Sequence, residues 1–242
     1  MVEPVPRATP REKGTPHDLA AELSAEGRIW RLPGVYAPQA DSYFLSAVMR
    51  REGIGAGMDV LDVCTGSGVL ALGAARLGAR VTAVDVSRRA VVSARLNALA
   101  ARVPVTVRRG DLLTGVSPGS FDVVVSNPPY VPAPDTQLPL RGACRAWDAG
   151  HDGRILLDRI CGQAPGVLRP GGRLLMVHSA LCDPDETVRR LTQAGLAAEV
   201  SDRLSIPFGP VMTARIRWLR ENGLVPAGTT TEELVVVRAC RD

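Results

Sequence analysis

Along most of this chain, short apolar runs alternate with longer segments of helical period. The pattern predicts strands at 60–64, 81–85, 105–107, 121–126, 173–178, 197–201 and 234–239. Between them it predicts helices at 69–78, 87–101, 152–166, 184–194 and 211–222, with a further helix at 39–50 carrying apolar Tyr43, Phe44, Ala47 and Val48. This alternation is the signature of a parallel sheet wrapped by helices. The expected fold class is therefore α/β, a Rossmann-like, doubly wound sheet of seven strands.

Residues 1–31 break the pattern. They are rich in Pro, Gly and charge, and their one apolar patch is a short stretch at 19–23. The expectation is a flexible N-terminal arm at 1–31 and one domain at 32–242. At about 150 residues per domain, a chain of 242 residues fits that division. The arm's charges nearly cancel: Arg7, Arg11, Lys13, Arg28 and Arg31 stand against Glu3, Glu12, Asp18, Glu22 and Glu26.

Composition removes several classes. The hydrophobic share of 45% and charged share of 22% are those of an ordinary globular protein. The best apolar run, Val69 to Ala75, stops at Arg76, well short of the ~18 residues that a membrane span needs. Glu3, Pro4, Pro6 and Arg7 stand where a secretory signal would carry an apolar block, so the expected location is cytoplasmic. Five scattered cysteines without a Cys-x-x-Cys pair support neither a disulfide framework nor a zinc site, and no metal is expected. The net charge is +4 and Lys13 is the single lysine. Such arginine use fits a polyanion partner, but it fits a GC-rich coding sequence at least as well. With a neutral arm and no interleaved basic and aromatic stripe, nucleic acid is not the expected direct substrate.

The first strand runs into Asp62-Val63-Cys64-Thr65-Gly66-Ser67-Gly68 and then a helix, a turn where backbone N–H groups can meet a small ligand. Gly66-Ser67-Gly68-Val69-Leu70-Ala71 also fits a dinucleotide fingerprint, with Asp85 placed 19 residues after Gly66 as a ribose-binding carboxylate. An NAD-binding oxidoreductase thus competes at this point. Asp62 tilts the reading toward S-adenosylmethionine, because an acid there would orient an ammonium group and repel a pyrophosphate. Asp85 would accept from both ribose hydroxyls, and Asp111 in Gly110-Asp111-Leu112 from an adenine amino group, although a turn or cap role alone would explain Asp111.

The segment Phe121-Asp122-Val123-Val124-Val125-Ser126-Asn127-Pro128-Pro129-Tyr130 carries the most chemistry. Two successive prolines fix the chain after a buried strand. The Asn127 side-chain oxygen and the Pro128 carbonyl then offer two acceptors to one planar NH2 group, and Tyr130 offers an aromatic face. That suits an amide nitrogen or an amino-purine nitrogen.

With these residues the chain resembles the HemK/PrmC family of class I S-adenosylmethionine-dependent methyltransferases, which methylate a glutamine side-chain amide in translation release factors. The resemblance is carried by Val35-Tyr36-Ala37-Pro38-Gln39-Ala40-Asp41-Ser42, the 62–68 loop, Asp85, Gly110-Asp111-Leu112, Asn127-Pro128-Pro129-Tyr130-Val131-Pro132 and Asp148-Ala149-Gly150-His151-Asp152-Gly153. It implies a mostly parallel sheet with the last strand antiparallel. It also implies catalytic Asn127, Pro128, Pro129 and Tyr130, and a cofactor held by Tyr36, Pro38, Asp41, Asp62, Thr65, Gly66, Gly68, Asp85, Val86, Asp111, Leu112 and Asn127. The product would be S-adenosyl-L-homocysteine.

Two departures from the family stand out. The helical N-terminal domain of common bacterial members is replaced by the short arm, which resembles the archaeal and eukaryotic short form. The latter implies a small zinc-binding activator subunit on the edge strand at 103–107. Cys64 and Thr65 stand where a Gly and a small residue are usual; Cys64 reads as a filler and not as a nucleophile. The same acceptor loop also suits a secondary metabolite, a peptide or a nucleic-acid adenine. The segment 212–220, with Arg215, Arg217, Trp218 and Arg220, reads either as a basic rim for a partner or as a solvated helix face with Ile216 and Leu219 inward. His151 and His178 read as structural, His151 with a lesser claim to line the substrate mouth.

Overall fold

The computed structural model describes residues 29–242. Seven strands, β1 (Asp59–Val63), β2 (Arg80–Asp85), β3 (Val105–Arg109), β4 (Phe121–Ser126), β5 (Leu168–Ser179), β6 (Ala197–Pro207) and β7 (Thr231–Cys240), form one sheet in the order β3-β2-β1-β4-β5-β7-β6. The pairs β1–β2, β1–β4, β2–β3 and β4–β5 are parallel, whereas β7 runs antiparallel to both β5 and β6. This is the expected doubly wound, seven-stranded α/β sheet of the class I methyltransferase fold. The valines that read as unbroken apolar runs are buried on both faces: Val123, Val124 and Val125 are sealed, as are Leu234 to Val237.

Among the described residues six α-helices cover the sheet: α1 (Ala40–Arg51), α2 (Val69–Arg76), α3 (Arg88–Ala101), α4 (Ile155–Val167), α5 (Pro184–Gln193) and α6 (Pro210–Glu221). α1, α2 and α3 pack side by side, and α4 packs on α5. α4 begins later than its apolar period suggests because Gly150 and Gly153, both at positive φ, turn the chain before it. β6 runs six residues past its apolar stretch. Polar Asp202, Arg203 and Ser205 hide the extension from a hydrophobicity pattern, and only pairing with β7 reveals it.

The arm expected at 1–31 lies outside the described residues up to position 28. Its last residues are tied to the domain. Buried Asn97 on α3 donates through Nδ2 to the Trp30 carbonyl (2.7 Å) and the Ser67 carbonyl (2.8 Å), and its Oδ1 accepts from the Trp30 N–H (2.8 Å). Ser93 Oγ accepts from the Leu32 N–H (3.1 Å). One side chain thus fastens the entering chain and the glycine turn to the same helix. Asn97→Ala removes all three bonds from a buried position and should lower stability by about 2–3 kcal/mol, read as a fall of roughly 5–10 °C in thermal melting.

Candidate active site

The carboxyl ends of β1, β2 and β4 come to one level because their registers pair Val63 with Val84 and with Ser126. A cleft of about 1080 Å³ opens over these ends. Its walls bring together Tyr36, Pro38, Asp41, Thr65, Gly66, Asp85, Val86, Asp111 and Leu112 with Asn127, Pro128, Pro129 and Tyr130. Of the residues expected from sequence, Asp62 and Gly68 do not line it.

Asp62 is wholly buried behind the turn. Its Oδ2 accepts from the Thr65 hydroxyl (2.5 Å) and the Ala71 N–H (3.1 Å), and its Oδ1 has no protein partner. Burial pushes its carboxyl up to about 7, against the opposing Thr65 and Ala71 hydrogen bonds. Asp62 thus holds the loop from behind. Gly68 has φ +88°, and a Cβ there would stand 3.1 Å from the Ala94 Cβ on α3. It serves close helix packing and does not line the ligand's space.

Gly66 does face the cleft, and its N–H donates to Asp85 Oδ2 (2.9 Å) while Ser87 N–H donates to Oδ1 (2.8 Å). The Val86 backbone N–H also bonds this carboxylate, so three of its roughly four lone-pair positions are taken and about one is left toward the cleft. Burial raises the Asp85 carboxyl. Asp111 lies at the rim, half exposed, with Oδ2 paired to Arg159 (2.6 Å). Cys64 and Leu112 both adopt positive φ, 61° and 50°, which gives a physical reason for a glycine at position 64. Burial raises the Cys64 thiol well above its ordinary value, in keeping with a filler.

On the other side of the cleft, Asp41 Oδ2 accepts from the hydroxyls of Tyr36 (2.9 Å) and Tyr130 (3.1 Å). Ser42, buried on the first turn of α1, joins Asp41 to Asn127, whose Nδ2 lies 3.1 Å from Ser42 Oγ. The acceptor loop is clamped from behind. Val131 N–H donates to the Trp147 carbonyl, Ala149 N–H to the Val131 carbonyl and Ala133 N–H to the Gly150 carbonyl. Gly153 presses on the Tyr130 carbonyl so closely that a Cβ would come within 2.3 Å of it. The Gly150–Gly153 turn is thus a buttress for the loop.

Three further residues bear on the site: Glu232 and Arg154, which sequence left without a role, and Arg215, which it left between two readings. Glu232 on β7 lines the cleft, buried, with Oε1 unpartnered; desolvation lifts its carboxyl to about 6, with Asp41 adding to the rise and the Ser179 hydroxyl opposing it. Its signal was hidden because β7 reads as a core strand. Arg215 on α6 bonds the Asp148 carboxylate and the Pro132 carbonyl (3.0 Å). The 212–220 segment follows the second of its two readings, a solvated helix face with Leu219 sealed and Ile216 packed on the core, except that Arg215 turns to the acceptor loop and Trp218 meets His151 edge-on at 5.3 Å. Arg154 is buried and bonds the Cys182 and Asp183 carbonyls, Thr187 and Asp158. His178 is sealed in the core with its pKa lowered to about 4 by burial, a structural residue.

Residues 26–141 match the family described as Methyltransferase small domain. A Methanocaldococcus jannaschii protein provisionally named protein N5-glutamine methyltransferase is 34% identical over 181 residues, 74% of this chain and 90% of that protein. The chain belongs to the HemK/PrmC family. It is an S-adenosylmethionine-dependent N-methyltransferase. The release factor glutamine methyltransferase of Mycobacterium tuberculosis is 30% identical over 199 residues, and this chain spans 64% of its length. Among solved structures, the Mtq2-Trm112 complex of E. cuniculi, responsible for methylation of the eRF1 translation termination factor, matches with TM-score 0.61 and 25% identity, over 86% of this chain and 99% of that one. Among the described residues no group of three or more His, Cys, Asp or Glu is arranged to hold a metal ion. No described helix is long and apolar enough to cross a membrane.

Two predictions follow from this geometry. Gly68→Ala adds both backbone strain and a methyl against the Ala94 Cβ and Cα, so it should destabilise by about 2–4 kcal/mol, read as an earlier thermal melt. Glu232 binds its proton more tightly folded than unfolded, so its ionised form opposes folding above about pH 6. Glu232→Gln should therefore raise the melting temperature by a few degrees at pH 8, and the gain should vanish as pH falls below the unfolded glutamate pKa of about 4.3.

Proposed function

We propose that this methyltransferase transfers a methyl group from S-adenosylmethionine to the side-chain amide nitrogen of a glutamine in a translation release factor, in the cytoplasm. The observation that carries the reading is the placement of Asn127 and Pro128 beside Tyr130, in the same cleft as the Asp85 and Gly66 turn. The names of the relatives, release factor glutamine methyltransferase among them, supply the acceptor.

The cofactor half fits its ligand by local chemistry and shape. The acids Asp41, Asp85 and Glu232 line the cleft together with Arg88, Arg89, Arg109, Arg141, Arg145 and Arg159, so the fit rests on the placement of single carboxylates and not on the charge of the walls as a whole. With three backbone donors on its carboxylate, Asp85 keeps about one lone-pair position for a ribose hydroxyl, the Gly66 turn lets backbone approach, and Asp62 shapes that turn from behind. Tyr36, Pro38, Thr65, Val86, Asp111 and Leu112 complete the walls on this reading. When bound, S-adenosylmethionine supplies an electrophilic methyl on sulfur and leaves as S-adenosyl-L-homocysteine.

The protein's own work falls on the acceptor. An amide nitrogen is a poor nucleophile because its lone pair is conjugated with the carbonyl. Asn127 Oδ1 and the Pro128 carbonyl accept its two N–H bonds, hold it in line for attack and stabilise the positive charge that builds on nitrogen. Pro129 keeps the loop rigid and Tyr130 offers its ring face to the planar amide. As the N–C bond forms, the nitrogen becomes far more acidic, and its proton passes to solvent without a strong base. The scheme assigns no step to a metal ion.

The edge strand β3 is the proposed seat of a small zinc-binding activator subunit. Beside that edge, α3 shows Val92, Leu96 and Leu99 at helical spacing, 43%, 51% and 76% exposed, an apolar strip of the kind a partner covers. The similar Mtq2 structure is itself a two-protein complex.

Labelled S-adenosylmethionine, offered with purified release factors, total tRNA and DNA, should label a release factor, with peptide mapping placing the methyl on glutamine. Label confined to nucleic acid or small molecules would overturn the acceptor. Asn127→Ala should lower kcat by about 10²–10³ while calorimetry finds the affinity for S-adenosylmethionine unchanged.

A further inference from the structure

The hydrogen bonds around Asp41 form a chain with a direction, and the direction fixes which end of the Asn127 carboxamide meets the acceptor. Four donors converge on the Asp41 carboxylate. Tyr36 and Tyr130 donate their hydroxyls to Oδ2, and Ser42 gives Oδ1 its N–H (2.6 Å) and its hydroxyl (3.2 Å). Burial first, then the Asp41 charge, pushes both phenols well above their ordinary value, so each keeps its proton and donates. A carboxylate has about four lone-pair positions, and here all are taken by donors.

The consequence lies in Ser42. A hydroxyl carries one proton, and this one is directed at a group that only accepts. Ser42 Oγ is left with lone pairs alone, so whatever approaches from its other side must be a donor. That neighbour is Asn127 Nδ2, at 3.1 Å. With the carboxamide turned the other way, its oxygen would face those lone pairs and the contact would be repulsive. The Nδ2 end is therefore held toward α1, which leaves Oδ1 as the end available to the cleft.

We propose that Ser42 is a positioning residue that locks Asn127 with its oxygen toward the acceptor, so that the site receives a group bearing N–H and refuses one that presents only lone pairs. Asp41 sets the polarity, and Ser42 transmits it over one hydroxyl. Without Ser42, the two orientations of Asn127 differ little in energy, and one of them sets an NH2 against the acceptor nitrogen. The inference rests on the reading of Asn127 as the acceptor-holding group, and it holds for any nitrogen acceptor.

The test compares Ser42→Ala, Ser42→Thr and Ser42→Ala in an Asn127→Ala background, on whichever acceptor the wild type labels. Ser42→Ala should lower kcat about 10- to 100-fold, with KM and the calorimetric affinity for S-adenosylmethionine within about twofold of wild type. Ser42→Thr keeps the hydroxyl and should restore most of the rate. In the Asn127→Ala background the loss of Ser42 should bring no further fall. Wild-type kcat in Ser42→Ala, or an equal further fall without Asn127, would overturn the proposal. Thermal melts check that each variant is folded, and should Ser42→Ala melt early, Ser42→Cys, which keeps the volume with a poor hydrogen-bonding group, is read against the same outcomes. Failure of the glutamine reading looks different: the wild type then leaves release factors unlabelled, and Ser42 is judged on the tRNA, DNA or small molecule that carries the label.

Discussion

The parallel register of β1 with β2 and with β4 is the constraint on which the rest depends. Pairing Val63 with Val84 and with Ser126 brings three strand ends to one level. The Cys64–Gly68 turn, Asp85 and Asn127 each follow one of those ends directly. A one-residue slip in any pair would exchange the side chains packed on the sheet's two covered faces and move its loop, so packing of the strands and placement of the site are the same requirement.

On that frame two hydrogen-bond systems do different work. Around the glycine turn, Asp62, Asn97 and Asp85 hold backbone groups: Ala71 N–H, the Ser67 carbonyl, Gly66 N–H and Ser87 N–H. These are rigid partners, and they shape a surface. Around the acceptor loop, Asp41 gathers side chains, two tyrosines and a serine, and through them orients an amide. The raised carboxyls of Asp62 and Glu232 are the energetic cost of keeping acids in the dry space beside a cleft that receives a cation. The second system also reaches outward. Arg215 joins α6 to Asp148 and Pro132, so the helix after β6 is fastened to the acceptor loop.

How much was legible in the sequence differs by residue. Gly66, Asp85, Asn127 and Tyr130 were readable because each sits in a run whose spacing follows from a strand followed by a turn. Asp62 and Gly68 occupy the same run, yet the structure sets both behind the ligand's space. Spacing places a residue at a turn but does not say which side of the turn its side chain or its missing Cβ faces. Ser42 was present within the recognised segment without a role, because its partner Asn127 lies 85 positions away. Glu232, at the margin of a strand that reads as core, gave no local signal, and Arg215 stood in a segment with two readings that only its contact with Asp148, 67 positions away, separates.

The sequence by itself determined the fold class, the order of strands and helices and the two loops that carry chemistry. Those follow from local physics: the period of apolar positions, the stiffness of two prolines and the freedom of glycine at a strand end. Only the tertiary structure decided which of the marked residues share the cleft, how far β6 extends to wall it, and which way the Asn127 amide points. Each of those depends on a contact between residues distant in the chain. The last depends on the count of protons in a buried network, which no stretch of neighbouring residues contains.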